Sequence, residues 1–215
     1  MFGASPSTVV AAVVAFFAGW QLWILSEYLL HRFAMHALHG KGIMSREHLN
    51  HHVAAGWNFS YVLVLAWAGM LLVGWLVWFP LGLAVFGAAV GVGLALGWAV
   101  GYFVYEAAHA REHLKGPRTS RQRHLRKHHF HHHFGHPMAN HGVSVVFWDK
   151  VFGTFEEPDR VRVPRRMAQP WMLGDDGELK PEHEADYVLV GSTAKSSASD
   201  ERDRVAAFAG VAPAD

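Results

Sequence analysis

The sequence contains no cysteine among its 215 residues. This absence excludes disulfide bonds, thiolate metal ligands, iron–sulfur clusters and cysteine nucleophiles, so any bound metal must be held by nitrogen and oxygen. Charged residues are also scarce, at 17% of the chain, and almost none occurs before residue 31 or between residues 53 and 105. No glycine-rich phosphate-binding signature opens a helix, which argues against a nucleotide site.

The weakly charged regions contain three long apolar stretches, at residues 8–30, 61–79 and 81–105. Each is close to the ~20 residues that a helix needs to cross a bilayer. Pro80 and Gly82 predict a tight break between the second and third stretches. The N-terminus is unlike a cleavable signal peptide, because it lacks a basic n-region and its apolar run is too long. The sequence therefore predicts an all-α integral membrane protein with about three transmembrane helices, in preference to a buried soluble hairpin.

Histidine is abundant and unevenly distributed: 16 of the 17 histidines lie between residues 31 and 141. Most fall in four clusters at the ends of the apolar stretches, and three crossings would bring all four clusters to one side of the membrane. Most Lys and Arg residues also flank that side, so the positive-inside rule predicts that it is cytoplasmic, with the C-terminus, and that the N-terminus is outside. We expect a cytoplasmic helical cap that holds a histidine-rich dimetal site.

The spacings within the clusters suit metal ligation by helices. Residues 48, 51 and 52 stand at i, i+3 and i+4, so we expect their imidazoles to share one face and aim at one point. Residues 109 and 113 form an i, i+4 pair. His31 and His36 are five apart, which a regular helix would splay, so we expect the helix to end between them. In the last cluster, residues 128, 131 and 132 and residues 129, 132 and 133 both fit the pattern, and spacing alone does not choose between them.

Ten such imidazoles are too many for one metal ion and suit two. Imidazole binds Zn, Cu, Fe and Ni, so the ligand type does not identify the metal. Glu27 and Glu106 precede histidines by one helical turn at span edges, where an unpaired carboxylate is costly, and we expect them to orient imidazoles. Outside these sets, a solvated or structural role is expected for the remaining isolated histidines: His39, His124, His136 and His183.

Four stretches carry a combined pattern: residues 27–36 (EYLLHRFAMH), 48–52 (HLNHH), 101–109 (GYFVYEAAH) with His113, and 128–144 followed by 148–154 (WDKVFGT). This pattern resembles the membrane fatty acid hydroxylase/sterol desaturase superfamily, and within it the fatty acid 2-hydroxylases. The resemblance covers roughly residues 20–155. Any one histidine box alone would be weak, whereas the combination is specific.

The resemblance implies which histidines are ligands. In 2-hydroxylases the last HxxHH box lies a set distance before a Gly-Ile/Val-Ser turn, and counting back from Gly142 selects residues 129, 132 and 133. The implied ligands of two iron ions are His31, His36, His48, His51, His52, His109, His113, His129, His132 and His133. His128, His141 and Asp149 are weaker candidates for a supporting role. Relatives often have Phe where this chain has His141, so His141 is expected to face the substrate or the site.

The implied activity is that of an O2-dependent di-iron monooxygenase acting on a lipid acyl chain, with fatty acid 2-hydroxylation as the favoured reaction. Zinc is an alternative metal in purified protein. The expected partners are a membrane lipid or fatty acyl substrate and a separate electron-transfer protein, cytochrome b5-like or ferredoxin-like, and no nucleic acid is expected. A carotenoid or sterol hydroxylase or desaturase is the first alternative, and a non-enzymatic histidine-rich membrane metal carrier is the second.

The composition changes after about residue 156. We expect residues 1–155 to form a membrane-embedded fatty acid hydroxylase domain. Prolines punctuate the polar segment that follows, so residues 156–190 are predicted to be an extended cytoplasmic segment. Residues 191–215 are rich in Gly, Ser, Ala and Asp and are predicted to be a disordered tail.

Overall fold

The structure, a computed structural model, describes residues 5–191 and is mostly helical. Apart from Gly191, the predicted disordered tail lies outside the described residues. The helices of the described part are α1 Pro6–Leu29, α2 Ile43–Ala54, α3 Tyr61–Val73, α4 Phe79–Phe86, α5 Ala88–Leu114, α6 Ser120–Phe134 and α7 Phe147–Phe152. Two π-helical segments, Leu30–His36 and Gly74–Trp78, continue α1 and α3 directly. Sheet content is small: β1 Val161–Pro164 pairs in parallel with β2 Tyr187–Val190.

Within residues 5–191, three helical segments are long and apolar enough to cross a membrane: Pro6–His36, Tyr61–Phe86 and Ala88–Leu114. The predicted number of spans is confirmed. The predicted break at Pro80 is wrong, because α4 runs through Pro80 and the chain turns at Gly87, where φ is 90°. Pro80 follows the π-helical segment Gly74–Trp78 almost directly, so a widened turn precedes the residue that lacks an N–H. Gly87 adopts the positive φ without the strain of a Cβ atom.

The described residues divide into two compact units. The first, here called the membrane unit, contains the residues up to Glu27 and Asn58–Ala107. The second, here called the histidine unit, contains Tyr28–Trp57 and the residues from Ala108 onward. All ten histidines implied as ligands belong to the histidine unit.

Glycines allow α1 and α5 to approach closely in the membrane unit. A Cβ atom at Gly97 would collide with the backbone carbonyl of Phe16, and one at Gly101 would lie 2.8 Å from Cβ of Trp23. Small residues at such crossings let helix backbones pack where lipid supplies no hydrophobic drive. The buried Trp23 ring fills the same contact, edge-on to Trp98 with ring centroids 5.2 Å apart.

In the histidine unit, the polar segment after α7 packs against α6. Phe130 lies between His129 and His131 on α6, and it joins Val161, Val163, Met172 and Tyr187 in a buried core. The segment 156–190 contains both strands and three short 3-10 turns, Arg165–Met167, Pro170–Met172 and Pro181–His183. Burying Phe130 on this side directs His129, His132 and His133 to the other sides of the helix.

The middle of α6 is fixed to the end of α5 by a buried cation. Arg126 donates hydrogen bonds to the carbonyls of Arg111 and Lys115, both at 2.8 Å. Arg111 lies in the last turn of α5, where its carbonyl also accepts from the N–H of Lys115 at 3.0 Å, and Lys115 directly follows the helix. Thr119 caps the N-terminus of α6 by accepting a hydrogen bond from the N–H of Gln122. The histidines at the end of α5 are thereby held beside those of α6.

Candidate metal centre

The structure brings the ten histidines together in two groups of five, and within each group the ligand nitrogens lie within 4.8 Å of one another. All ten are buried except His51, which is partly buried. Group A contains His31, His36, His48, His52 and His132, and group B contains His51, His109, His113, His129 and His133. Each group draws on three or more helical segments, so neither exists without the tertiary fold.

The π-helical segment Leu30–His36 explains how His31 and His36 converge. The expectation that the helix ends between them is wrong: the helix continues but widens, as the hydrogen bond from the N–H of Ala37 to the carbonyl of Arg32 shows. An i to i+5 repeat brings residues five apart to the same side. The two imidazole centroids are 5.2 Å apart, and both Nε2 atoms lie within 2.9 Å of Nε2 of His48.

The two HxxHH boxes do not each aim three imidazoles at one point, contrary to expectation. His48 and His52 enter group A, whereas His51 enters group B. In the other box, His129 and His133 enter group B and His132 enters group A. Residues at i and i+4 lie nearly above one another on a helix, whereas the residue at i+3 lies about 100° around the axis from the residue at i+4. Each box therefore bridges the two groups.

The nitrogen separations fit bound metal ions. In group A, Nε2 of His48 lies 2.9 Å from that of His31, 2.8 Å from that of His36 and 2.9 Å from that of His52. One ring nitrogen carries at most one proton, so three such contacts cannot all be hydrogen bonds. Two nitrogens bound about 2.1 Å from one ion at right angles lie about 3.0 Å apart, which matches these separations.

Group B has the same separations, with Nε2 atoms 3.0 Å apart for His109 and His51 and 2.9 Å apart for His129 and His113. His133 is fully buried, and neither of its ring nitrogens has a hydrogen-bond partner among the residues that the structure describes. A buried polar group without a hydrogen bond is costly, and a cation would supply the missing interaction. The all-nitrogen donor set thus suits a transition metal.

Backbone carbonyls fix the orientation of three ligand rings. Nδ1 of His132 donates to the carbonyl of Ala139 at 2.7 Å, and Nδ1 of His51 donates to that of Gly56 at 2.9 Å. Nδ1 of His31 donates to the carbonyl of His141. A proton held at Nδ1 leaves the Nε2 lone pair for the metal, as is usual for metal-ligating histidines. The sequence gives no signal for these carbonyls, because backbone partners depend on the tertiary fold.

The environment keeps the imidazoles outside the spans neutral. Burial first, and then the nearby histidines, lower the pKa values of His48, His52, His129, His132 and His133 well below the usual value of 6.5. Burial lowers the pKa of His51 to about 4. The neutral form is the one that binds a metal ion.

Asp149 organises the loop that follows α6. Its buried carboxylate accepts hydrogen bonds from the N–H groups of His141 at 2.7 Å and Gly142 at 2.8 Å, and from the hydroxyl of Thr154 at 2.8 Å. Nε2 of His128 lies 3.2 Å from the same carboxylate. Burial alone would raise the pKa of Asp149, but the hydrogen bonds and the charge of His128 outweigh it and lower the pKa. The carboxylate is therefore ionised at neutral pH.

The other predicted supporting residues have distinct surroundings. The His141 ring is fully buried and lies 5.5 Å from the rings of His31 and His132. Glu27 is buried, and Glu106 accepts a hydrogen bond from the Tyr102 hydroxyl at 3.0 Å.

Sequence reasoning missed Glu112. Its buried carboxylate oxygen Oε2 lies 3.9 Å from Nδ1 of His129. The available signal was an acidic residue directly before His113, on a helix whose neighbouring histidines are ligand candidates. Sequence reasoning also missed Trp171, whose indole N–H donates to the carbonyl of His113 at 3.0 Å.

The remaining histidines lie outside both groups. His131 and His136 contact the two oxygens of Glu156, at 2.9 and 2.7 Å. The His183 ring packs edge-on against Trp171, and His39 is exposed. His124 lies 3.8 Å from Glu157.

Together the fold and the site define a helical membrane protein with two all-histidine groups that can each hold a metal ion. The fatty acid hydroxylase family profile matches residues 13–154, which is more than half of the chain. The chain therefore belongs to the fatty acid hydroxylase family. This membership agrees with the resemblance found in the sequence.

Among solved structures, the chain is similar to one described as full-length scs7p with only the hydroxylase domain visible, with a TM-score of 0.52 and 24% sequence identity. The similarity covers 71% of this chain and 59% of that chain, so this chain spans less than two thirds of that protein's length. At this identity the likeness supports the fold alone. Comparison with curated proteins finds no significant match.

Proposed function

We propose that groups A and B each hold one iron ion and that the pair hydroxylates a lipid acyl chain with O2. The observation that carries the proposal is the convergence of ten histidines into two sets of five nitrogens. Bound iron would supply the activation of O2 for attack on an unactivated C–H bond. The overall reaction converts R–H, O2, two electrons and two protons into R–OH and water.

The chain's own residues would hold the ions and restrain their ligands. His31, His51 and His132 keep their protons at Nδ1, where backbone carbonyls accept them, so that Nε2 remains free to bind. Asp149 fixes the loop that carries the carbonyl partner of His31. Group B also has a carboxylate close to a ligand ring: Glu112 lies beside Nδ1 of His129. These restraints would keep the site preformed when the ions are exchanged or reduced.

The proposed substrate is a fatty acyl lipid, hydroxylated at C2. His31 and His36 end the first candidate span, and His109 and His113 lie in the last two turns of the third. A lipid whose head group stays in water would present the first carbons of its chain at this level. The two electrons would come from a separate carrier protein, cytochrome b5-like or ferredoxin-like, because the cysteine-free chain binds no iron–sulfur cluster through thiolates.

The proposed orientation places the N-terminus outside and the histidine unit in the cytoplasm, with residues 1–155 as the catalytic domain and residues 156–190 as a cytoplasmic segment. Exposed cations at the end of the third span, Arg111 and Lys115, support this orientation. Labelling of single cysteines by a membrane-impermeant reagent in intact cells tests it. Ser5→Cys is expected to react from outside and Arg166→Cys only after lysis; the reverse pattern would contradict the orientation.

The activity is tested by mass spectrometry of lipids from cells that express the chain under ¹⁸O2, with a His51→Ala/His132→Ala variant as control. The proposal predicts an acyl chain that gains one ¹⁸O atom at C2, only with the intact histidines. Label at another acyl carbon would contradict 2-hydroxylation but keep the acyl hydroxylase. Label in isoprenoids would assign the chain to carotenoid or sterol oxidation. No labelled lipid from a chain that holds two iron ions and a supplied reductant would overturn the proposal.

A further inference from the structure

Helix α7, a short helix outside the candidate spans, has two faces of opposite character. Phe147, Val151 and Phe152 are 58%, 53% and 45% exposed. Asp149 on the opposite side is fully buried. Three large exposed apolar residues on six positions are unusual for a surface in water and indicate a contact with another apolar phase or molecule.

The contacts of α7 place it beside the end of the first span. The Phe152 ring stacks on Tyr28 with centroids 5.0 Å apart and planes 13° from parallel. The Tyr28 hydroxyl lies 2.9 Å from that of Thr154, two residues after the end of α7. Tyr28 belongs to the span Pro6–His36 and lies eight residues, about two helical turns, before its end. A helix that reaches this level of a spanning segment lies at the depth where that segment leaves the bilayer.

The surroundings of this contact have the composition of a membrane–water boundary. Phe33, one helical turn after Tyr28, is 53% exposed, and the guanidinium of Arg32 lies 5.2 Å from its ring centroid. Arg32 also donates to the Tyr28 hydroxyl at 2.8 Å. Trp148 stacks on Phe152 within α7. Aromatic rings beside basic side chains are typical of the interfacial region, where rings enter the lipid and cations meet phosphates.

We propose that α7 is an interfacial helix whose exposed face, Phe147, Val151 and Phe152, inserts into the lipid leaflet beside the first span. The occupant of this face is the phospholipid bilayer. The inference depends on the membrane span and not on the reaction that the histidine groups catalyse.

This placement gives α7 a second role, because its buried face supports the site. The Asp149 carboxylate holds the N–H groups of His141 and Gly142, and the carbonyl of His141 accepts from His31 of group A. One short helix would therefore fix the loop beside group A to the lipid surface.

The absence of native cysteine makes the test direct. In the full-length chain, Phe147→Cys and Val151→Cys each carry an environment-sensitive nitrobenzoxadiazole label, and the protein is placed in phosphatidylcholine/phosphatidylglycerol nanodiscs. Arg162→Cys, exposed on β1 of the same unit, is the water-facing control, and Val64→Cys, exposed on α3 within the second span, is the lipid-facing control. The measurement is quenching by lipids with a doxyl group at a shallow or deep acyl position.

The proposal predicts that shallow doxyl lipids quench the labels at positions 147 and 151 several-fold more than the label at position 162, with deep doxyl lipids less effective. This depth corresponds to about 5–10 Å into the headgroup and acyl boundary. Quenching equal to that at position 162, while position 64 is quenched, would overturn it. Weak quenching with blue-shifted emission that reverts on dilution with unlabelled protein would also overturn it, by assigning the face to a second copy of the chain.

Discussion

The role of Asp149 can be tested by Asp149→Asn, which preserves the shape of the side chain and removes its charge. The carboxylate accepts from the N–H of His141 through Oδ1 and from the N–H of Gly142 through Oδ2. An asparagine amide offers one acceptor oxygen and one NH2 group. Whichever way the amide turns, one of the two backbone N–H groups then faces a donor.

The expected loss of stability follows from the one backbone N–H group that is left without an acceptor. A buried donor left without an acceptor costs about 1–3 kcal/mol, and the remaining bonds lose their charge assistance. The total is about 3 kcal/mol, within the range of about 3–5 kcal/mol for breaking a buried charged pair. For a chain of this length it corresponds to a fall in Tm of roughly 6–12 °C.

The effect on metal binding should be confined to one group. The loop held by Asp149 carries the carbonyl that accepts from Nδ1 of His31, a group A residue. Loss of such a supporting contact weakens metal binding about 10–100-fold. We therefore expect one of the two ions to be released at a lower chelator concentration, while the ion of group B is retained.

The assay is metal content per chain after equilibration with a graded series of chelator concentrations, together with thermal unfolding in detergent. The control is Asp159→Asn, the same chemical change at an exposed position. If Asp149→Asn matched this control in both Tm and metal retention, Asp149 would not position the loop, and the reasoning would be refuted.

Three further results are expected. His132→Ala should reduce the bound metal from two ions to one per chain by elemental analysis, whereas His124→Ala, outside both groups, should retain two; equal loss in both variants would argue against the grouping. Gly97→Ala should destabilise the membrane unit by about 1–3 kcal/mol in thermal unfolding, because its Cβ meets the Phe16 backbone. Gly69→Ala, which has open space around it, should be neutral or stabilising, and a loss equal to that of Gly97→Ala would contradict the packing. Removal of metal by chelator should lower Tm, and restored iron should recover it, since ligands that bind the folded state stabilise it; an unchanged Tm would show that the groups fold independently of metal.

The sequence could predict the features that depend on local pattern. An apolar run of about 20 residues predicts a span wherever it occurs, so three spans were expected and are present. The predicted boundary between the second and third spans was wrong. A proline in an apolar run predicts a helix break, and the sequence does not reveal the π-helical turn that precedes Pro80. Gly87 carried the alternative signal, since a glycine between two apolar runs suits a positive φ.

The sequence predicts which histidines form the site but not how they divide into two groups. Helical spacing gathers the imidazoles of one box, yet the assignment of His51 and His52 to different groups follows from where α5 and α6 place their own histidines. The π-helical turn between His31 and His36 has no marker in the sequence. Supporting contacts such as His132 with the carbonyl of Ala139 join a side chain to backbone and leave no trace in residue identity.

The most direct test of the two five-histidine groups is X-ray absorption spectroscopy on the full chain, loaded with iron under anaerobic conditions and freed of weakly bound metal. The account predicts two iron ions per chain, with a first shell dominated by nitrogen and with the outer-shell scattering of imidazole rings. A single ion per chain, or a first shell dominated by oxygen, would contradict it.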